Sequence, residues 1–133
     1  MQILPVFNIL KPEIKSISLI EKVDLYSRKD NIRGYNYAST IELDEVREDK
    51  NNTNHFEALL NIHNYSTDND NGDLRVDQLN GEIYGLLKER RNIVDSKIII
   101  DLIKYTSRLK PTFKREIDSW VGIVTFYIKW RVI

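Results

Sequence analysis

The chain has 133 residues, enough for one domain with a core of its own and no need of metals or crosslinks. Its 20 basic and 20 acidic side chains cancel, which argues against a general nucleic-acid binder. It has no cysteine, so disulfides, thiolate metal sites and cysteine catalysis are excluded. The hydrophobic fraction of 41% and charged fraction of 30% are those of a globular protein, and no apolar run is long enough to predict a membrane-spanning helix.

The first ten residues are apolar but have neither a basic leader nor a small-residue cleavage site, and so do not read as a signal peptide. Within them, Pro5–Leu10 predicts a short helix with Pro near its first turn, ended by Lys11-Pro12. Ile17–Tyr26 predicts a strand with Ile17, Leu19, Val23 and Leu25 on one face. A helix through Ile14, Ile17 and Ile20 is the competing reading. Ser27–Gly34 is a charged loop.

Tyr35–Val46 alternates clearly. Tyr35, Tyr37, Ser39, Ile41 and Leu43 face one way, and Asn36, Ala38, Thr40, Glu42 and Asp44 the other. The polar stretch Arg47–Asn54 reads as a turn, and His55–Tyr65 as the returning strand of an antiparallel hairpin with Phe56, Ala58, Leu60 and Ile62 inward. After the loop Ser66–Asp73, Asp73 is a candidate N-cap for a long helix reaching about Arg91. Its apolar face is Val76, Leu79, Ile83, Leu86 and Leu87. Lys88, Arg90 and Arg91 are expected in its last turn, and Gly81 with Gly85 are expected to admit a neighbouring backbone.

Ser96–Leu109 predicts a strand rich in β-branched residues, broken by Lys110-Pro111. Lys110–Ser119 predicts a basic loop, and Trp120–Ile133 a closing strand. One face of that strand carries Trp120, Gly122, Val124, Phe126, Ile128, Trp130 and Val132, with no polar side chain. Such a strand has to pair inside a sheet or against a partner. The sum is a single domain, 1–133, of the α+β class. A mostly antiparallel sheet of four to five strands packs against one long helix, with a short N-terminal helix beside it.

Chemical motifs are sparse. The glycines form no phosphate-binding loop, and no nucleophile elbow occurs. His55 and His63 share a strand face, but lie roughly 26 Å apart at about 3.3 Å per residue, too far to share a metal. Each reads as a partly exposed strand residue. Glu42 and Asp44 read as a solvated face rather than an acid–base pair. Asp101, inside an apolar run, is expected to pair with Lys129 or Arg131 or to face solvent. No catalytic, cofactor or metal residues are assigned. The residues left over for a subunit or partner interface are Tyr127, Lys129 and Arg131 on the second face of the closing strand, with Lys110, Lys114 and Arg115 in the basic loop.

Three segments together carry a resemblance: the hairpin Tyr35–Leu43 with His55–His63, the amphipathic helix Val76–Leu87 after it, and the closing strand Trp120–Ile128. In this order the chain, from about Ile17 onward, resembles the tail terminator (tail completion) proteins of tailed bacteriophages. The family's first helix is longer than the proline-broken segment here. The resemblance implies a structural virion protein, one subunit of a homo-oligomeric ring of commonly six. Such a ring stops tail-tube growth and joins tail to head. It implies tail-tube and head-completion or connector proteins as neighbours, DNA only as passing cargo, no cofactor, and assembly in the host cytoplasm. The alternatives are a connector ring component of a short-tailed phage and a small adaptor binding by β-augmentation. An enzyme is disfavoured because no nucleophile, base and orienter assemble.

Overall fold

The computed structural model describes residues 3–133. The elements are α1 (Ile3–Lys15), β1 (Lys22–Leu25), β2 (Tyr37–Glu48), β3 (His55–Ser66), α2 (Gly72–Leu87), β4 (Glu89–Val94), β5 (Ile98–Lys114) and β6 (Ser119–Val132). Short 3-10 turns occupy Tyr26–Ile32 and Arg115–Ile117. All six strands form one sheet in the order β1-β2-β3-β6-β5-β4. Only β1 against β2 is parallel; every other pair is antiparallel. The sheet curls into a half-barrel.

This overturns the expected fold class. The sheet is six-stranded and mixed, not four to five strands, and it packs against two helices of 13 and 16 residues rather than one long one. Two local misreadings account for the difference. The first concerns α1, which runs straight through Pro12. Proline deletes one helical hydrogen bond. Here Val6, Phe7, Leu10 and Ile14 are all buried on one face, and that burial outweighs the loss. Only Lys22–Leu25 of the expected strand Ile17–Tyr26 is extended; a turn follows α1, anchored by Ile17 N–H donating to the Ile14 carbonyl at 3.1 Å.

The second misreading concerns the end of α2. The helix stops at Leu87, and Arg90 and Arg91 belong to the unforeseen strand β4. Basic residues there suit a helix C-terminus, but they also suit an exposed strand edge. Arg90 bonds Glu13 on α1 at 2.8 Å, tying that edge to the first helix. The helix begins after Asn71, so Asp73 lies in its first turn and is not the cap. Gly81 and Gly85 face open space, and no backbone approaches either.

The alternation in β2, β3 and β6 holds. Both helices lie on one face of the sheet, against Ile41, Leu60, Ile62, Val124, Phe126, Ile128 and Trp130. Near the start of β6, Gly122 lets α2 approach closely. A Cβ there would sit 2.6 Å from Asn80 Nδ2 and 2.8 Å from Val76 Cγ1. The expected break at Lys110-Pro111 is only a bulge, between Leu109 and Thr112. β5 continues to Lys114, so Lys110 and Lys114 are strand residues and only Arg115 begins a turn.

A chain of buried amides fixes α2 on the sheet. Ser39 Oγ donates to Asn64 Oδ1 at 2.6 Å, Asn64 Nδ2 donates to Asn80 Oδ1 at 2.8 Å, and Asn80 Nδ2 donates to the Leu109 carbonyl at 3.3 Å. β2, β3, α2 and β5 are thereby joined through side chains that water does not reach.

Candidate functional site

The helix-free face of the sheet carries the polar chemistry. The pairings Thr40 with His63, Glu42 with Asn61, and Asn61 with Thr125 set these side chains side by side on that face. His63 Nε2 and Asn61 Nδ2 both lie 3.0 Å from Glu42 Oε1. A carboxylate only accepts, so Nε2 carries the proton. Thr125 Oγ1 donates to Asn61 Oδ1 at 2.8 Å, and Thr40 Oγ1 lies 3.1 Å from the Tyr65 hydroxyl. Burial pushes the Tyr65 phenol up to about 12.

The 3-10 turn after β1 closes this strip. Tyr26 stacks on His63 with ring centroids 4.3 Å apart, and Lys29 sits 4.7 Å over Tyr26. His63 is therefore only 8% exposed. A carboxylate–imidazole pair can orient a general base. Here the imidazole lies beneath Tyr26, its Nε2 committed to Glu42, and no serine, threonine or cysteine nucleophile bonds to it. Its effect is to hold the 3-10 turn on the sheet. His63 is buried where a partly exposed strand residue was expected, and Glu42, expected on a solvated face, is half-buried in this pair.

Burial pulls the His63 pKa below its ordinary 6.5, and nearby Lys29 adds to this, while Glu42 opposes it. The folded protein thus binds this proton less readily than the unfolded chain. Stability from His63 is complete above pH 6.5 and is lost as pH falls from there toward the lowered folded value. Melting temperatures measured from pH 7.5 to 5 are expected to fall for the wild type and to stay flatter for His63→Gln. Parallel curves for the two proteins would refute this role.

The residues expected at an interface fall into two separate groups. Tyr127, Lys129 and Arg131 stand near one end of β6, on the helix-free face. Tyr127 donates its hydroxyl to Glu57 Oε2 at 2.5 Å, and Glu57 also pairs with Arg47 at 3.1 Å. Burial, with the Glu57 carboxylate beside it, pushes the Tyr127 phenol up to about 12. Arg131 pairs with Asp101 at 3.3 Å, one of the arrangements anticipated for that carboxylate. Lys129 alone of the three has neither a side-chain hydrogen bond nor an ion pair among the described residues. These groups border an open cleft of about 700 Å³ between the β2–β3 turn and β4, lined by Arg47, His55, Glu57, Arg91, Asp101 and Lys129. Arg47, Glu57, Arg91 and Asp101 are each in an ion pair, while Glu48, Asp49, Lys50 and Lys129, which also line it, form none among the described residues.

Lys110, Lys114 and Arg115 stand at the opposite end of β6, where Lys114 pairs with Ser119. Ten residues of β6 separate Ser119 from Lys129, roughly 33 Å at about 3.3 Å per residue. The structure does not bring the two groups together. At the Lys110 end, β5 runs on past β4, which pairs only from Lys104 to Ile99, while β6 stays paired with β3 as far as Trp120. Leu109 (63%) and Phe113 (38%) on this extension of β5, and Ile117 (40%) in the turn after it, are exposed. Sequence reading missed the extension because the predicted strand ended at Leu109; the β-former-rich run Thr112-Phe113 was the available signal.

Among the described residues, no group of three or more His, Asp or Glu side chains is placed to hold a metal ion. No protein-family model matches the chain, and no curated protein matches it either.

Proposed function

We propose that this protein is a structural subunit of a tailed-phage particle, one copy in a homo-oligomeric ring at the head–tail interface. There it caps the tail tube, joins tail to head, or does both, with tail-tube and head-completion proteins on its two sides. Its place is the virion, after assembly in the host cytoplasm. DNA passes through such a ring without specific contact, and the zero net charge suits that.

The observation that carries this reading is the extension of β5 beyond β4, with the turn that follows it. Leu109, Phe113 and Ile117 stand exposed there near Lys110, Lys114 and Arg115, with Leu109 on the helix-free face and Phe113, paired with Trp120, on the helix face. Exposed apolar side chains beside an unpaired strand edge mark a contact surface. The resemblance in hairpin, helix and closing strand supplies the particle context.

Light scattering after size-exclusion chromatography, with negative-stain images, tests the proposal. The expected result is a ring whose mass is a multiple of the 15.7 kDa subunit, six-fold for a hexamer, and the chain's presence in purified particles. A strict monomer at high concentration, absent from particles, would defeat it. The outer edge of β5 beyond β4 also favours a second reading, an adaptor taking a foreign strand by β-augmentation. In that case the protein stays monomeric and a pull-down returns a non-virion partner.

A further inference from the structure

Both outer strands of the sheet are shorter than their neighbours, and at diagonal corners. β1 covers β2 only from Ala38 to Ile41, leaving the outer edge of Glu42–Glu48 unpaired. β4 covers β5 only as far as Lys104, leaving the outer edge of 106–114 unpaired. On the first open edge Arg47 is paired with Glu57 and Glu42 with His63, which leaves Asp44, Glu45 and Glu48 as its free charges; the second holds Arg108, Lys110 and Lys114 with no acidic residue. All six side chains are exposed, and none forms an ion pair among the described residues. Each edge also has an exposed apolar residue near its middle, Val46 at 42% and Leu109 at 63%.

We propose that these two edges are the two halves of one joint, so that the acidic edge of β2 takes the basic edge of β5 from a second copy of this chain. The inference rests on the ring reading and names its contact. Like charges along each edge oppose self-pairing of that edge, which disfavours a two-fold dimer. Opposite charges on the two edges favour head-to-tail contact, the heterologous kind that builds rings. Strand direction is also right. Three antiparallel pairings separate β2 from β5, so the two run oppositely, and a neighbour continuing the sheet presents β5 antiparallel to β2.

The missing lengths interlock. Thr40 pairs with His63, His63 with Ile123, and Ile123 with Leu109, so Leu109 and Thr40 stand at one level within a copy. Setting the neighbour's Leu109 against Val46, in the bulge between Asp44 and Arg47, steps each copy by about five pairing levels, roughly 17 Å along the strands. The neighbour's β5 then stands end to end with β1, and its β4 beyond the end of β2. Each copy adds four strand widths, roughly 19 Å at about 4.8 Å apiece. A step of roughly 17 Å over 19 Å tilts the strands by about 40°, within the range in which sheets close on themselves.

The test reverses each edge in the full chain. Asp44→Lys with Glu45→Lys makes both open edges basic, and Arg108→Glu with Lys110→Glu makes both acidic. Each double variant alone is expected to assemble more than about 100-fold more weakly than wild type, with an unchanged thermal melt. An equimolar mixture of the two is expected to regain assembly, because each supplies the edge the other lacks. In the wild type, added salt weakens assembly, and hydrogen exchange slows at residues 42–48 and 106–109 as concentration rises. That exchange measurement does not depend on the variants folding. Variants that assemble like wild type, or a mixture that stays monomeric, overturn the joint while leaving the ring standing. A wild type that never assembles overturns both.

Discussion

Trp130→Ala is expected to lower stability by about 3–5 kcal/mol and the melting temperature by more than about 10 °C. Trp130 is 1% exposed, pairs in register with Phe56 and Ile100, and stacks on the Phe56 ring at 5.6 Å. Its loss opens a cavity that the flanking strands cannot fill by collapsing. The indole is core within a single chain, so thermal melts at low and high protein concentration should show the same loss. A loss visible only in the assembled state would place the ring at a subunit contact instead. A second substitution sharpens the result. Trp130 Nε1 is buried without a hydrogen-bond partner, so Trp130→Phe removes volume but also removes an unsatisfied donor. It is expected to cost about 1–2 kcal/mol, well short of the alanine variant.

Asn64→Ala should come close to that in effect, for the opposite reason. It removes little volume but leaves Ser39 Oγ and Asn80 Oδ1 buried and unpartnered, at about 1–3 kcal/mol each. Urea denaturation is expected to show a total loss of about 2–5 kcal/mol. Asn80→Ala strips the same junction from the other side, so the double variant should lose less than the sum of the singles by about 1 kcal/mol or more. Strict additivity would mean that the amides do not act as one chain. Replacing Ser39, Asn64 and Asn80 together with apolar residues is expected to restore part of the stability while loosening the placement of α2 on the sheet.

The strands that alternate on a half-buried sheet were legible in the sequence. β2, β3 and β6 lie within two residues of their expected limits, and their inward faces carry Ile41, Leu60, Ile62, Phe126 and Trp130 as expected. What failed was punctuation. Pro12 was read as a stop and lies inside a helix; Pro111 was read as a stop and lies in the bulge of β5 between Leu109 and Thr112, beyond the reach of β4. β4 was absorbed into α2 because Arg90 and Arg91 satisfy either element, and only its pairing with β5 decides. With β4 missing and β1 taken as a full strand, the open edges could not be seen.

The buried polar groups left a readable trace. Asn64 falls on the inward face of β3 with Phe56, Ala58, Leu60 and Ile62, and Asn80 on the helix face of Val76, Ile83 and Leu87. A lone amide on each of two apolar faces indicates that the faces meet through it. The Glu42–His63 pair left no such trace. It depends on the cross-strand register and on the 3-10 turn folding over it, neither of which local pattern encodes.

The position of β6 carries a consequence for how the molecule is made. It is the inner strand between β3 and β5, yet it follows both in the chain. Until it is available, β1–β2–β3 and β4–β5 are two sheet fragments with no backbone pairing between them, each with an open apolar edge. Folding must therefore wait for a strand inserted late, with long loops to close, which is a slow and aggregation-exposed path. A chain that lacks β6 leaves the inner edges of β3 and β5 both open.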